Sequence, residues 1–378
     1  MSDALDDVVP QLAWLRALRD PAVTLRWSLG EWESVVRLAR RLRLLARLGA
    51  GLHAVGLIDT VPEQPRRHLL AEERVSRWRT QALLWSLDRI GAALGSEPYP
   101  KVLLKGAAYV GQDLPIALGR LPSDVDILVP HAHLAAAQAL LARAGWQEIA
   151  LDEHDQHYYR EWSHESPPLR NAQHRIELDL HHNILPPVAR TRVDSDRLLE
   201  RLQPSRWPSW SVFHPVDQVL HSAAHLFLDS EVRDRVRDLV DLDGLFRWFG
   251  ARAGFWDELP ERAGALGLAE PLALACYFCI RWLGTPIPED TVARIAQLGP
   301  SALRRAWLLP LLRNLLTPTA PDLSPSWKQD LAATIFLARY HRNRMPMRLL
   351  VPHLWHKLHP KVRSVDLVPV TRHEAETI

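Results

Sequence analysis

The sequence predicts an α+β protein in which a small mixed sheet with helices sits between two helical regions. Three observations carry this. Apolar residues recur at three- and four-residue spacing over residues 11–95, as in Val35, Leu38, Leu42, Leu45 and Leu48, and the pattern resumes from about 190 to 350. Between 101 and 182, short apolar runs alternate with helix-length segments, as in a mixed α/β unit. The run from Arg175 to His181 alternates strictly, with Ile176, Leu178 and Leu180 on one side and Glu177, Asp179 and His181 on the other. The expected organisation is therefore a helical region over 1–98, an α/β unit over 99–190, a helical region over 191–350 and a tail over 351–378.

Within the first region Gly49 and Gly51 are expected to stop one helix, and Pro62 and Pro65 lead into a second over about 68–94. Lys101–Lys105 reads as a buried strand that Gly106 breaks, and 107–118 as a helix. Pro122 and Ser123 mark a turn before a strand over 124–129, and 131–144 reads as a helix ending at Gly145. A further strand is expected near 156–162, before the loop at Pro167 and Pro168. From Pro346 onward the mixed prolines, basic and polar residues suggest a surface tail. Trp27, Trp32, Trp78 and Trp85 fall at helical spacings and read as core anchors, whereas Trp146 and Trp162 could instead stack on a base.

Composition excludes several classes. Hydrophobic residues make up 47% and charged residues 24% of 378, which argues against a disordered or fibrous chain. The net charge of +2 gives no reason to expect a general nucleic-acid binder, although nucleic acid remains possible as a partner. Only five of the 46 basic residues are lysines, a bias that fits a GC-rich coding genome. Cys276 and Cys279 have no second pair with which to complete a structural zinc site, so they read as buried core thiols. No basic start with an apolar core opens the chain, and no run of about 18 apolar residues occurs. No membrane contact and a cytoplasmic location are expected.

The chemistry concentrates in the α/β unit. Asp124 and Asp126 are one residue apart on an apolar strand, so both point the same way and repel. A divalent cation turns that repulsion into a site, and hard carboxylate oxygens suit Mg²⁺ (or Mn²⁺). Asp179 on a later strand completes a second metal position and helps activate an attacking hydroxyl, as two-metal phosphoryl chemistry requires. The turn at Gly106 and Ala107 lets phosphate approach backbone amides, with Lys105, Arg120 and Ser123 beside it. Each residue has a plainer alternative: Asp124 a strand-edge cap, Asp179 a partner of an arginine, Lys105 a strand-end residue, Arg120 a salt-bridge partner. His181 could order an acceptor, or it could end a solvated strand like His182. His221 and His225 share a helix face and fit an interhelical hydrogen-bond network better than a zinc pair.

This ordered set of turn, Asp-x-Asp and later strand Asp resembles the nucleotidyltransferase superfamily of the DNA polymerase β type. Leu104-Lys-Gly-Ala, Arg120, Ser123-Asp-Val-Asp-Ile-Leu-Val and Glu177-Leu-Asp-Leu-His-His are more closely similar to a bacterial family of uncharacterised nucleotidyltransferases. Asp217–His225 and Arg237–Asp241 look similar to the motifs of that family's helical C-terminal region. The resemblance implies a minimal nucleotidyltransferase core flanked by helices. It also implies Mg²⁺-dependent transfer of an NMP from an NTP, such as ATP, to an acceptor hydroxyl or phosphate on a small molecule, peptide or RNA. Asp124, Asp126 and Asp179 would be the catalytic metal ligands, and Lys105, Gly106, Ala107, Arg120 and Ser123 would hold the donor. Many members of the superfamily have Gly-Ser at the turn, where this chain has Gly106-Ala107. The alternatives are a toxin-like transferase acting on tRNA or protein, and an inactive binding or scaffold protein of the same fold.

Overall fold

The computed structural model describes residues 10–95, 97–149, 153–173, 176–320 and 322–358. Its one sheet has seven strands: β1 (Val102–Leu103), β2 (Asp124–Leu128), β3 (Gln147–Glu148), β4 (Leu169–Arg170), β5 (Glu177–His181), β6 (Gln203–Pro204) and β7 (Ser211–Val212). Their order is β3-β4-β5-β2-β1-β7-β6. The two longest strands, β2 and β5, lie parallel at the centre, β1 runs antiparallel to β2, and β7 joins β1 in parallel. The outer strands are two residues long, which leaves little free edge for another chain to pair with.

Fifteen helices surround the sheet among the described residues. On the N-terminal side are α1 (Leu29–Arg41), α2 (Leu45–Ala54) and α3 (Glu63–Leu94). Within the α/β unit are α4 (Lys105–Gly111), α5 (Leu134–Arg143), α6 (Glu153–Glu161) and the short α7 (Ser195–Leu199). The C-terminal side holds α8 (Pro215–Leu228), α9 (Val236–Phe249), α10 (Phe255–Ala265), α11 (Ala269–Leu283), α12 (Glu289–Leu298), α13 (Ala302–Leu316), α14 (Trp327–Arg344) and α15 (Met347–Leu358). One buried apolar cluster runs from Leu12 through the sheet to Phe336, so all three regions share a core. Cys276 and Cys279 are buried free thiols within it. No described helix is long and apolar enough to cross a membrane.

Several local expectations are corrected. Gly49 and Gly51 lie inside α2 and do not end a helix. Gly49 is there because a Cβ would come within 2.4 Å of Glu73 Oε1 on α3, so the glycine permits close helix packing. The segment near 156–162 is helical: Trp162 N–H donates to Tyr158 O, and the two rings meet at 6.2 Å on one face. There the four-residue spacing outweighs the strand preference of aromatic residues. The helix expected over 107–118 starts at Lys105, ends at Gly111 and resumes as one 3-10 turn at Pro115–Ala117, because proline has no N–H for a continuing helix. Strands at 147–148, 169–170, 203–204 and 211–212 were not anticipated. Residues 347–358, expected within a surface tail, form α15, and 359–378 lie outside the described residues. Trp32 is a core anchor, but Trp78 and Trp85 are exposed, and Trp146 is packed into the core where no base can reach it.

Candidate active site

The parallel pairing of β2 with β5 is what assembles the acidic residues. Its register sets Asp126 beside Asp179 and Asp124 beside Glu177, so the three aspartates converge on one face of the two central strands. The branched apolar residues between them, Val125, Ile127 and Leu178, are fully buried on the opposite face and fix that register. Lys105 follows β1 with φ at +43°, an uncommon left-handed conformation for a residue with a Cβ. This turns its side chain onto β2, where Nζ donates to Asp126 Oδ1 at 2.7 Å. His181, at the end of β5, donates from Nε2 to the same oxygen at 3.0 Å.

The electrostatics follow from this crowding. Burial alone would raise the Asp126 carboxyl, but Lys105 and His181 overcome it and hold the group well below the usual carboxylate range. For Asp179 the nearby His181 is not enough: burial and then the Asp126 charge push it up to about 7. Asp124 is raised for the same two reasons, against Lys105 and the Ser123 hydroxyl, which donates to Asp124 Oδ1 at 3.1 Å. One lysine thus faces three carboxylates. Three carboxylates on one face are hard oxygen donors, so the donor set fits a divalent metal.

The turn is built differently from expectation. Gly106 and Ala107 are buried and line neither of the cavities at the site. A Cβ on Gly106 would lie 2.0 Å from Arg120 Nη1, so this glycine makes room for a guanidinium. Arg120 is 8% exposed, donates from Nε to Asp241 Oδ2 on α9 at 3.0 Å and lies against the Tyr109 ring. Arg47 of α2 donates to the other oxygen of Asp241 at 2.8 Å. Arg120 is accordingly the salt-bridge partner weighed above, although it still borders the site.

Two cavities meet at the aspartates. The first, about 380 Å³, is lined by Asp124, Asp126 and Ser123 together with Arg41, Arg43, Arg235 and Arg237. Arg43 stands in the break between α1 and α2 with φ at +57°, and its charge feels Arg237, Arg79 and Arg120 against Asp124 alone. The second, about 230 Å³, has Asp179, Glu165 and Arg344 among an apolar wall that includes Leu185, Leu228 and Tyr340. Lys105 and His225 border both.

His225 borders both cavities, and further histidines are buried near it. His221, pushed down to about 3 by burial, and His225, held well below its usual value by burial and Lys105, are neutral. His225 Nε2 accepts from Arg235 at 2.8 Å, which links α8 to the start of α9 as the expected network would. His181 is raised overall: burial lowers it, but Asp126 and Glu165 outweigh that. His182 donates to Ser163 O and is lowered by burial to about 4. Glu165, Arg43 and Arg344 went unnoticed in the sequence, where they sit in loops or at a helix end without any periodic signal.

The parallel pair β2–β5 thus carries three aspartates on one face, with arginines across one cavity. The model of a family of uncharacterised nucleotidyltransferases matches residues 28–284, and the chain belongs to that family. No curated protein and no solved structure matches.

Proposed function

We propose that this protein is a metal-dependent nucleotidyltransferase that moves an NMP from an NTP to a hydroxyl of a small acceptor. The observation that carries this is the single cavity in which Asp124 and Asp126 face Arg43 and Arg237. Carboxylates and arginines lining one cavity suit a ligand that is itself a metal and an anion together. Asp124, Asp126 and Asp179 would hold Mg²⁺ or Mn²⁺. When bound, the metal supplies positive charge at the α-phosphate and lowers the pKa of the attacking hydroxyl. Arg43 and Arg237 hold the phosphates, and Lys105, at the border of both cavities, neutralises charge where donor and acceptor meet. The acceptor oxygen forms a bond to the α-phosphorus, the α–β bridging bond breaks, and pyrophosphate leaves. Asp179 lines the second cavity and can take up the acceptor's proton.

The second cavity supports a small acceptor. Its apolar wall at Ile184, Leu185, Leu228 and Tyr340 suits a compact amphipathic compound or the end of a peptide, and its size does not admit a duplex. Calorimetry with each NTP and Mg²⁺, on the natural protein and on Asp124→Asn and Asp126→Asn, tests the donor half. Metal-dependent binding that both substitutions weaken is expected, together with a loss of about 10²–10³-fold in transfer of labelled α-phosphate to a metabolite pool. Binding indifferent to metal and to both carboxylates would leave the scaffold alternative standing instead.

A further inference from the structure

We propose that His164, Glu165 and His181 form a binding site for a divalent transition-metal cation of the zinc and cobalt class, separate from the three aspartates. His181 decides the matter. Its Nε2 carries a proton, because the partner there is Asp126 Oδ1 at 3.0 Å and a carboxylate can only accept. Nδ1 is the ring nitrogen left for another partner. That atom is buried, has no hydrogen-bond partner among the described residues, and stands 3.3 Å from Glu165 Oε2. A carboxylate oxygen and a buried ring nitrogen brought this close are placed to share one cation.

His164 converges on the same point. One ligand atom from each of His164, Glu165 and His181 lies within 4.8 Å of the others, and His164 Nε2 stands 3.9 Å from Glu165 Oε2. The backbone already holds the three side chains together: His182 N–H donates to His164 O, Ser166 N–H donates to Leu180 O, and Glu165 bridges to His181. The site needs no large rearrangement to close.

Two imidazoles and one carboxylate favour zinc, cobalt or iron over magnesium, which prefers oxygen alone. His181 would bind through Nδ1 while its other N–H reaches a carboxylate, a pairing that commonly fixes the ring of a metal-bound histidine. His164 and Glu165 also line the acceptor cavity, so an open coordination position would face it. The cation would lock His181 in the tautomer that keeps its proton on Asp126.

Metal-stripped full-length protein titrated with Zn²⁺ and with Co²⁺ tests this without reference to nucleotidyl transfer. One equivalent should bind, and the Co²⁺ form should show the intense visible bands of four- or five-coordinate nitrogen ligation. His164→Ala and Glu165→Gln should weaken binding by more than about 100-fold, beyond the effect of losing an outer partner, while Asp124→Asn leaves it intact. Zn²⁺ should raise the melting temperature of the natural protein and not of either variant. Should a variant fail to fold, ¹⁵N spectra of the natural protein give the answer, since Zn²⁺ should move the His181 Nδ1 resonance to a metal-bound position. Absence of saturable binding would overturn the proposal, as would binding lost in Asp124→Asn and kept in His164→Ala. A His181 ring protonated on both nitrogens and unchanged by Zn²⁺ would overturn it too.

Discussion

At the scale of the residue, Asp179 carries a stability cost that can be measured. An ordinary aspartate has a pKa near 3.9, and in the folded chain burial and Asp126 push this one up to about 7. A folded-state value above the unfolded one means that Asp179 favours folding below about pH 4, and that this contribution is lost as pH rises toward about 7. Metal-free Asp179→Asn should therefore melt higher than the natural protein at about pH 8 and show no advantage at about pH 4. Mg²⁺ should reverse the order at the higher pH, because only the natural carboxylate gains from it. Thermal scans at the two pH values, with and without Mg²⁺, check both halves. The same competition between proton and metal predicts that Mg²⁺ affinity falls as pH drops through the Asp179 titration, readable by calorimetry.

At the scale of the element, the β1–α4 turn is a packing device for Arg120. Gly106→Ala would place a methyl 2.0 Å from the Arg120 guanidinium, which cannot retreat without leaving Asp241. Overpacking of this kind costs about 1–3 kcal/mol, and denaturant unfolding should show that loss together with weaker NTP binding. The elements also show what could be read beforehand. The alternation along 124–129 set Asp124 with Asp126, and that along 175–181 set Asp179 with Glu177 and His181; the β2–β5 register brings the two sets together. Two-residue strands such as β6 and β7 are too short to carry any periodicity. α6 was misread because a cluster of aromatic residues satisfies strand preference and helical spacing alike. Glu165 and Arg43 owe their positions to loop geometry and to a left-handed backbone, neither of which leaves a pattern in composition.

At the scale of the whole molecule, Asp241 is the point where the three regions meet. Arg47 from the N-terminal helices and Arg120 from the α/β unit share its two oxygens, and it is 2% exposed. Removing one member of a buried pair leaves the others charged and unsatisfied, at about 3–5 kcal/mol. Asp241→Ala should lower stability by that order. Since both arginines lose the same partner, combining it with Arg47→Met should cost much less than the sum of the two single changes. Urea unfolding of the two single variants and the double variant measures this directly.

Lys105 gives the assembled molecule a further property. Its ammonium occupies the position beside Asp126 that a divalent ion would otherwise hold. Free Mg²⁺ must compete with a tethered cation, whereas a triphosphate arriving with its own Mg²⁺ offers the displaced ammonium a new anionic partner. On the proposed function, nucleotide and ion should bind with positive cooperativity, each raising the affinity for the other by the same factor, which calorimetry of Mg²⁺ with and without NTP measures. The lysine would lower the affinity of the acidic face for free ions until the donor itself arrives.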